Sequence, residues 1–267
     1  MKNAENTKKM VKEKYGQIAR KASQENSCGC GCSCEPDRDY SVFSDSYQNM
    51  EGYIAEADLG LGCGLPTEFA AIKAGDTVVD LGSGAGNDVF VARRLTGDSG
   101  RVIGIDMTPE MILKAQENNR KLGYQNVDFR LGEIEKLPVP DQAAEVVISN
   151  CVLNLVPDKE QAFREIYRIL KAGGHFCLSD VVIKGKLPKK LQESAEMYAG
   201  CVAGALQHDD YLEIINQTGF NEVEIKKSKQ IDLPDEVLRE FLNSKEITDF
   251  RKSGTGIFSI TVTGYKS

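Results

Sequence analysis

Short apolar runs recur along the middle of this chain, each separated from the next by a stretch of helical periodicity. The runs are TVVDL (77–81), RVIGID (101–106), VDFRL (127–131), EVVISN (145–150) and HFCLSDVV (175–182), with helices predicted near 85–95, 109–122 and 158–170. A strand can reach a parallel neighbour only by a crossover, so this alternation predicts right-handed βαβ units and an α/β fold with a parallel sheet. Boundary residues agree. Thr108 before Pro109 reads as N-cap and first helical residue, Asp158 as the next N-cap, and Gly173-Gly174 as the end of that helix.

Three regions differ in texture. Residues 1–45 are polar, with a helical-looking start (VKEKYGQIARKA) and then SCGCGCSCEPDRD; residues 46–183 carry the alternating core. Residues 184–267 predict helices near 188–199, 208–218 and 235–249 and strands near 222–231 and 256–264, with no internal repeat. The net charge of −7 and the lack of a basic stripe argue against nucleic acid as a partner. No apolar run approaches the ~20 residues of a membrane span, and the first residues lack the apolar stretch of a secretory signal, so no membrane association and a cytoplasmic location are expected. Eight cysteines in such a compartment point to metal, metalloid or redox chemistry rather than to a disulfide framework. Against them stand two histidines.

The motif VVDLGSGAGND (78–88) ends a strand at Asp80 and places glycines at 82, 84 and 86 before a helix. Glycines let a backbone turn sharply and approach a ligand, and the helix start supplies a positive dipole. The spacing is not that of a dinucleotide site, whose third glycine would stand at Asn87. The second strand ends at Asp106, a carboxylate suited to a ribose diol, with Met107 beside it to pack on an adenine face. After the third strand, Glu133 can accept from an exocyclic amine.

With these motifs the chain resembles the class I S-adenosylmethionine-dependent methyltransferases over roughly residues 70–182, through VVDLGSGAG, VIGIDMTPEM, GEIEKLPVPD and RILKAGG. The resemblance implies a Rossmann-like seven-stranded sheet, mostly parallel with the last strand antiparallel, helices on both faces and a small C-terminal substrate-side extension. It also implies S-adenosylmethionine as cofactor. Asp80, Gly82, Ser83, Gly84 and Gly86 would hold the methionine part, Asp106 the ribose, and Glu133 with Ile134 the adenine; Met107 and Asn150 complete the cofactor set.

Most methyltransferases position a base, commonly His, Asp, Glu or Lys. His175 falls inside the fifth strand and His208 in a polar helix start, and both read as structural. Thiols are plentiful instead. Cys63 lies in DLGLGCGLP, Cys151 follows the fourth strand, and Cys201 lies in MYAGCVAGAL, whereas Cys177 inside HFCLS reads as an apolar filler. Three thiolates from separate segments suit a soft, trivalent centre that keeps a lone pair and so needs no base.

The chain also resembles the arsenite methyltransferases over nearly its whole length, through LGLGCG (59–64), GIDMTPEM, ISNCVLNL (148–155) and YAGCVAGA (198–205). That resemblance implies arsenic detoxification, with Cys151 and Cys201 as arsenic ligands and Cys63 as a third ligand or a disulfide partner. It further implies trivalent arsenicals as substrates and a thioredoxin- or glutathione-type thiol as reductant. The opening KEKYGQIAR looks like the segment that covers the cofactor. Three readings fit Cys28, Cys30, Cys32 and Cys34: a disulfide relay to Cys63, an arsenite-capturing arm, or incidental cysteines in a disordered tail. Two other functional classes stand beside this one: a small-molecule C- or O-methyltransferase of the ubiquinone or sterol kind, and a non-catalytic thiol-based metalloid binder.

Overall fold

The computed structural model describes residues 2–25, 46–188, 204–233, 235–239 and 242–267. The helix expected near 188–199, Cys201 and the four cysteines at 28–34 lie outside the described residues. Within them, seven strands form one sheet: β1 Thr77–Leu81, β2 Arg101–Asp106, β3 Val127–Leu131, β4 Ala144–Asn150, β5 Leu170–Lys184, β6 Asn221–Ile231 and β7 Gly256–Tyr265. Their order is β3-β2-β1-β4-β5-β7-β6. Strands β1 to β5 pair in parallel. The last strand runs antiparallel to both β5 and β6, between which it is inserted.

The central strands are covered on both faces, which is why they read as unbroken apolar runs. Successive residues alternate between the faces. Val78, Val102 and Val146 pack towards the short helix α2 (Pro66–Phe69), α3 (Asn87–Thr96) and α4 (Pro109–Leu122). Val79, Ile103 and Val147 pack on the other side, where α5 (Lys159–Ile169) and α6 (His208–Thr218) contribute Phe163 and Tyr211. A long amphipathic helix, α1 (Lys2–Glu25), lies across α4. Arg168 of α5 donates to the carbonyls of Leu137 and Val139 and ion-pairs with Glu165 and Asp141, which pins the loop between β3 and β4.

Two boundaries differ from expectation. Helix α5 ends at Ile169 and β5 begins at once, so Gly173-Gly174 lie inside the span of β5 rather than closing the helix. They form the irregular connection where the β4–β5 register shifts. Gly173 has φ 76°, and a Cβ on Gly174 would stand 2.9 Å from the Glu145 carbonyl. The helix expected over 235–249 is two helices, α7 Asp235–Arg239 and α8 Ser244–Lys252. Asn243 starts the second with a reciprocal capping box to Glu246, a signal that outweighs helical periodicity. Asp158 caps α5 as read, accepting from Gln161 N at 2.9 Å. Thr108 stands at the N-cap of α4, but its hydroxyl makes no capping bond.

Phe176 of β5 stacks edge-on against Phe163 at 6.2 Å and Phe220 at 4.7 Å and is wholly buried. Phe176→Ala is expected to cost about 3–5 kcal/mol. Equilibrium urea unfolding checks this, as a lower midpoint at unchanged slope.

Candidate active site

Strand winding reverses between β1 and β4, and at such a switch point the strand ends leave a crevice. A pocket opens there. Asp80, Gly82, Ser83 and Gly84 form one wall, and Asp106, Met107 and Ile134 another. Gly84 needs glycine for conformation, with φ 51°, and the space beside its Cα is open for a ligand. Gly82 also has positive φ, and any Cβ there would run into Val152. Asp106 accepts from Thr108 N at 2.8 Å and Gly84 N at 3.0 Å, so it ties the glycine loop to the end of β2. Burial raises its pKa, and those backbone N–H groups pull against the rise. Asp80 is raised well above the carboxylate range, first by burial and then by the charges of Asp88 and Asp106.

Two of the expected cofactor residues have other engagements at the rim of the pocket. Gly86 does not line the pocket but forms the N-cap of α3. Glu133 also lies outside the lining. Its carboxylate is engaged by Lys8 at 2.8 Å and Lys12 at 3.1 Å, which hold its pKa down. Lys8 also pairs with Glu135 at 2.9 Å, and Arg20 with Glu110. These pairs dock α1 over the pocket, where Lys8, Val11 and Tyr15 join the lining.

Asn150 joins the pocket through a buried junction that sequence reasoning missed. Its Nδ2 donates to Gly64 O at 2.8 Å, Tyr47 Oη at 2.5 Å and Asp88 Oδ2 at 3.2 Å, while its Oδ1 accepts from Cys63 N at 3.0 Å. Asp88 stood at the end of the quoted motif, after Gly86 and Asn87, where a helix begins. Tyr47 gave no signal, since nothing local marks a tyrosine that reaches Asp88 across 41 residues.

The structure brings two of the three expected thiols together. Cys151 lies at the pocket end, buried, with the uncommon φ of 59°; its N–H donates to Ser179 O at 2.7 Å. A non-glycine residue in this region carries strain that surrounding structure must sustain, and such strain concentrates at functional sites. Cys63 is buried in the same apolar cluster, with Val181, Ile183 and Ile257, and its Sγ donates to the same carbonyl, Ser179 O, at 3.7 Å. The glycines around Cys63 answer to contact. A Cβ on Gly62 would stand 2.6 Å from Asn150 Nδ2, and one on Gly64 2.7 Å from Ser179 Oγ. The G-C-G loop therefore lies flat on the end of β4 and on Ser179, its partner in β5.

Other sulfur and imidazole groups take structural places. Cys177 is in mid-sheet, donates to Pro66 O at 3.2 Å, and burial pushes its thiol up to about 12. His175, which precedes Ser179 on β5, pairs in register with Tyr265, stacks on its ring, and contacts Ala70 O at 2.7 Å. His208 contacts Asp209 at 2.7 Å. Behind the thiols, Tyr211 Oη donates to Asp180 Oδ2 at 2.9 Å, and both cysteines act electrostatically on that phenol. Burial drives Asp180 up to about 7; Tyr211, Lys159 and the Asn154 backbone oppose the rise. Its second oxygen has no hydrogen-bond partner among the described residues.

Strand order, glycine loop and paired acids together define the architecture of the class I S-adenosylmethionine-dependent methyltransferases. Residues 72–219 match the family described as a methyltransferase domain, and the chain belongs to that family. It is similar to an arsenite methyltransferase of Halobacterium salinarum, 46% identical over 233 residues that cover 83% of this chain and 59% of the relative. A solved structure, an arsenic(III) S-adenosylmethionine methyltransferase from Chlamydomonas reinhardtii, is 35% identical with a TM-score of 0.65, covering 77% of this chain and 67% of the other. A ubiquinone/menaquinone biosynthesis C-methyltransferase of Enterobacter is 36% identical over 112 residues, 42% of this chain and 45% of the relative. The chain thus spans 59% of the length of the Halobacterium relative. Among the described residues no helix is long and apolar enough to cross a membrane.

The raised Asp180 sets a pH dependence. Between about pH 4 and about pH 7 the folded state keeps a proton that the unfolded chain has released, so stability falls as pH rises through that window. Asp180→Asn is expected to flatten this slope, measured as the urea midpoint at successive pH values. An unchanged slope would show that Asp180 ionises normally.

Proposed function

We propose that this chain transfers methyl groups from S-adenosylmethionine to trivalent arsenic held by its own thiolates, as an arsenic-detoxifying enzyme of the cytoplasm. The observation that carries the reading is that Cys63 and Cys151 share one buried cluster, the Cys63 thiol and the Cys151 N–H both donating to Ser179 O, with Cys151 in the lining of a pocket walled by acids. The pocket residues fit the cofactor. Asp80, Asp88 and Asp106 raise one another or are raised by burial, so a cationic guest relieves them and a pyrophosphate would not. Ser83 adds a buried hydroxyl with no partner among the described residues.

In this reading Asp106 accepts from the ribose, Met107 and Ile134 flank the adenine, and Asp80 with the loop of Gly82, Ser83 and Gly84 holds the methionine part. Glu133, committed to Lys8 and Lys12, serves to hold α1 over the site instead of reading the base. When bound, the cofactor supplies an electrophilic sulfonium methyl. Cys151 and Cys63, with Cys201 assigned as third ligand, take up arsenite by exchange. Each thiol proton leaves with a displaced hydroxide as water, an arsenic–sulfur bond forms, and arsenic stays trivalent. Soft thiolates suit this centre, and its lone pair is the nucleophile, so no side chain need remove a proton during transfer.

Methylation leaves arsenic pentavalent, and return to the trivalent state takes two electrons. Two thiols supply them by forming a disulfide, which we assign to Cys63 with one of Cys28, Cys30, Cys32 or Cys34; a thioredoxin- or glutathione-type thiol reopens it. The likeness to arsenite methyltransferases across most of the chain supports this reading over the ubiquinone kind, whose likeness covers 42%.

Methylated arsenicals formed from arsenite, S-adenosylmethionine and a thiol reductant are the direct test. Asp106→Ala is expected to weaken cofactor binding by about 1–3 kcal/mol, from the loss of hydrogen bonds to a charged acceptor. Unchanged calorimetric affinity would remove Asp106 from the site. Cys151→Ser is expected to lose arsenite binding while cofactor binding survives, and Cys177→Ser to keep activity. Full turnover by Cys151→Ser would return that thiol to a packing role.

A further inference from the structure

Asn150 does two jobs with one side chain. Its Oδ1 fixes the backbone of Cys63, and its Nδ2 reaches Asp88, in the first turn of α3 directly after the glycine loop. Asn150 also immediately precedes Cys151, whose strained φ is set by the same turn of chain. The Nδ2 group has two hydrogens but three acceptors within 3.2 Å: Gly64 O, Tyr47 Oη and Asp88 Oδ2. Tyr47 has one hydrogen, and within its reach are both Asp88 oxygens, at 3.0 and 2.8 Å, and Gly64 O at 3.2 Å. Donors are therefore oversubscribed in a buried junction, and a stronger demand at one acceptor redistributes the rest.

We propose that Asn150, Tyr47 and Asp88 form a coupling junction through which cofactor binding sets the position of Cys63 relative to Cys151. The inference rests on the arsenic reading above and adds linkage between its two sites. A cationic cofactor beside Asp88 holds that group in its charged form, which accepts more strongly from Tyr47 Oη and Asn150 Nδ2 than the neutral acid does. The amide plane of Asn150 is then fixed, and with it the acceptor that holds Cys63 N. Gly62 and Gly64 transmit this without slack, because Asn150 and Ser179 fill the space where their side chains would be. Linkage is reciprocal, so thiol-bound arsenic tightens the cofactor by the same factor. These three are positioning residues. Asp88 reaches the thiols through Asn150 and Tyr47, and Tyr47 also reaches them through Gly64 O.

The test is calorimetry of arsenite binding to the full chain, with and without a non-transferring cationic cofactor analogue that carries an amine in place of the sulfonium. Wild type is expected to bind arsenite about fivefold or more tightly when the analogue is present, the lower range of measured couplings. Tyr47→Phe should cut that ratio below about twofold while both ligands still bind singly, and Asp88→Asn should cut it likewise with a weaker single affinity for the analogue, because Asp88 also lines the cofactor pocket. A purely structural role would weaken the single affinities and leave the ratio intact. A wild-type ratio of one, or a full ratio kept in both variants, overturns the coupling; if one variant fails to fold, the other decides. Wild type that binds the analogue but gives no arsenite heat overturns the arsenic reading, and this inference with it.

Discussion

The parallel pairing of β1 with β4 is the constraint on which the rest of the site depends. It sets Leu81 beside Ser149 at the centre of the sheet, where the winding changes direction. From that point the loop after β1 turns one way, into the glycines, and the loop after β4 turns the other, into Asn150 and Cys151. A cofactor crevice and a thiol thus arise at the same strand ends, without either being built separately. The neighbouring β4–β5 pairing, with Asn150 opposite Ser179, then supplies the carbonyl that both Cys63 and Cys151 address.

Burial of acids is the main electrostatic theme. Asp80, Asp88, Asp106 and Asp180 are all buried or nearly so, and burial raises each. A fold gains little stability from such groups, and the gathering of Asp80, Asp88 and Asp106 beside one crevice marks function rather than packing. The surface ion pairs are different in kind. Lys8 and Lys12 meet Glu133 and Glu135 where all four are partly exposed, so their role is orientation of α1 over the pocket more than stability.

The thiols show how one residue type takes opposite roles by environment. Cys177 sits in mid-sheet with its pKa pushed up to about 12, which keeps it protonated and unreactive. Cys63 and Cys151 are also buried, but Cys151 follows the end of β4 and lines the pocket, and Cys63 lies in the loop packed on that end, its thiol on the Ser179 carbonyl. Depth in the chain's apolar pattern does not distinguish these cases; position along the strand does.

The sequence by itself determined the layered architecture, because the alternation of apolar runs with helical periods leaves few other ways to bury both. Asp80, Asp106 and the glycine spacing were legible for the same local reason, being the residues that end strands and open a helix. So were Asp158 as a cap and Cys177 as a filler. Only the tertiary structure decided that Glu133 meets Lys8 and Lys12, that Gly86 caps α3, and that Asn243 divides a predicted helix. It alone revealed Tyr47, Asp88 and Asn150 as one junction. Those outcomes rest on contacts between segments tens of residues apart, and a side chain's partner across such distances is chosen by packing, which no local period records.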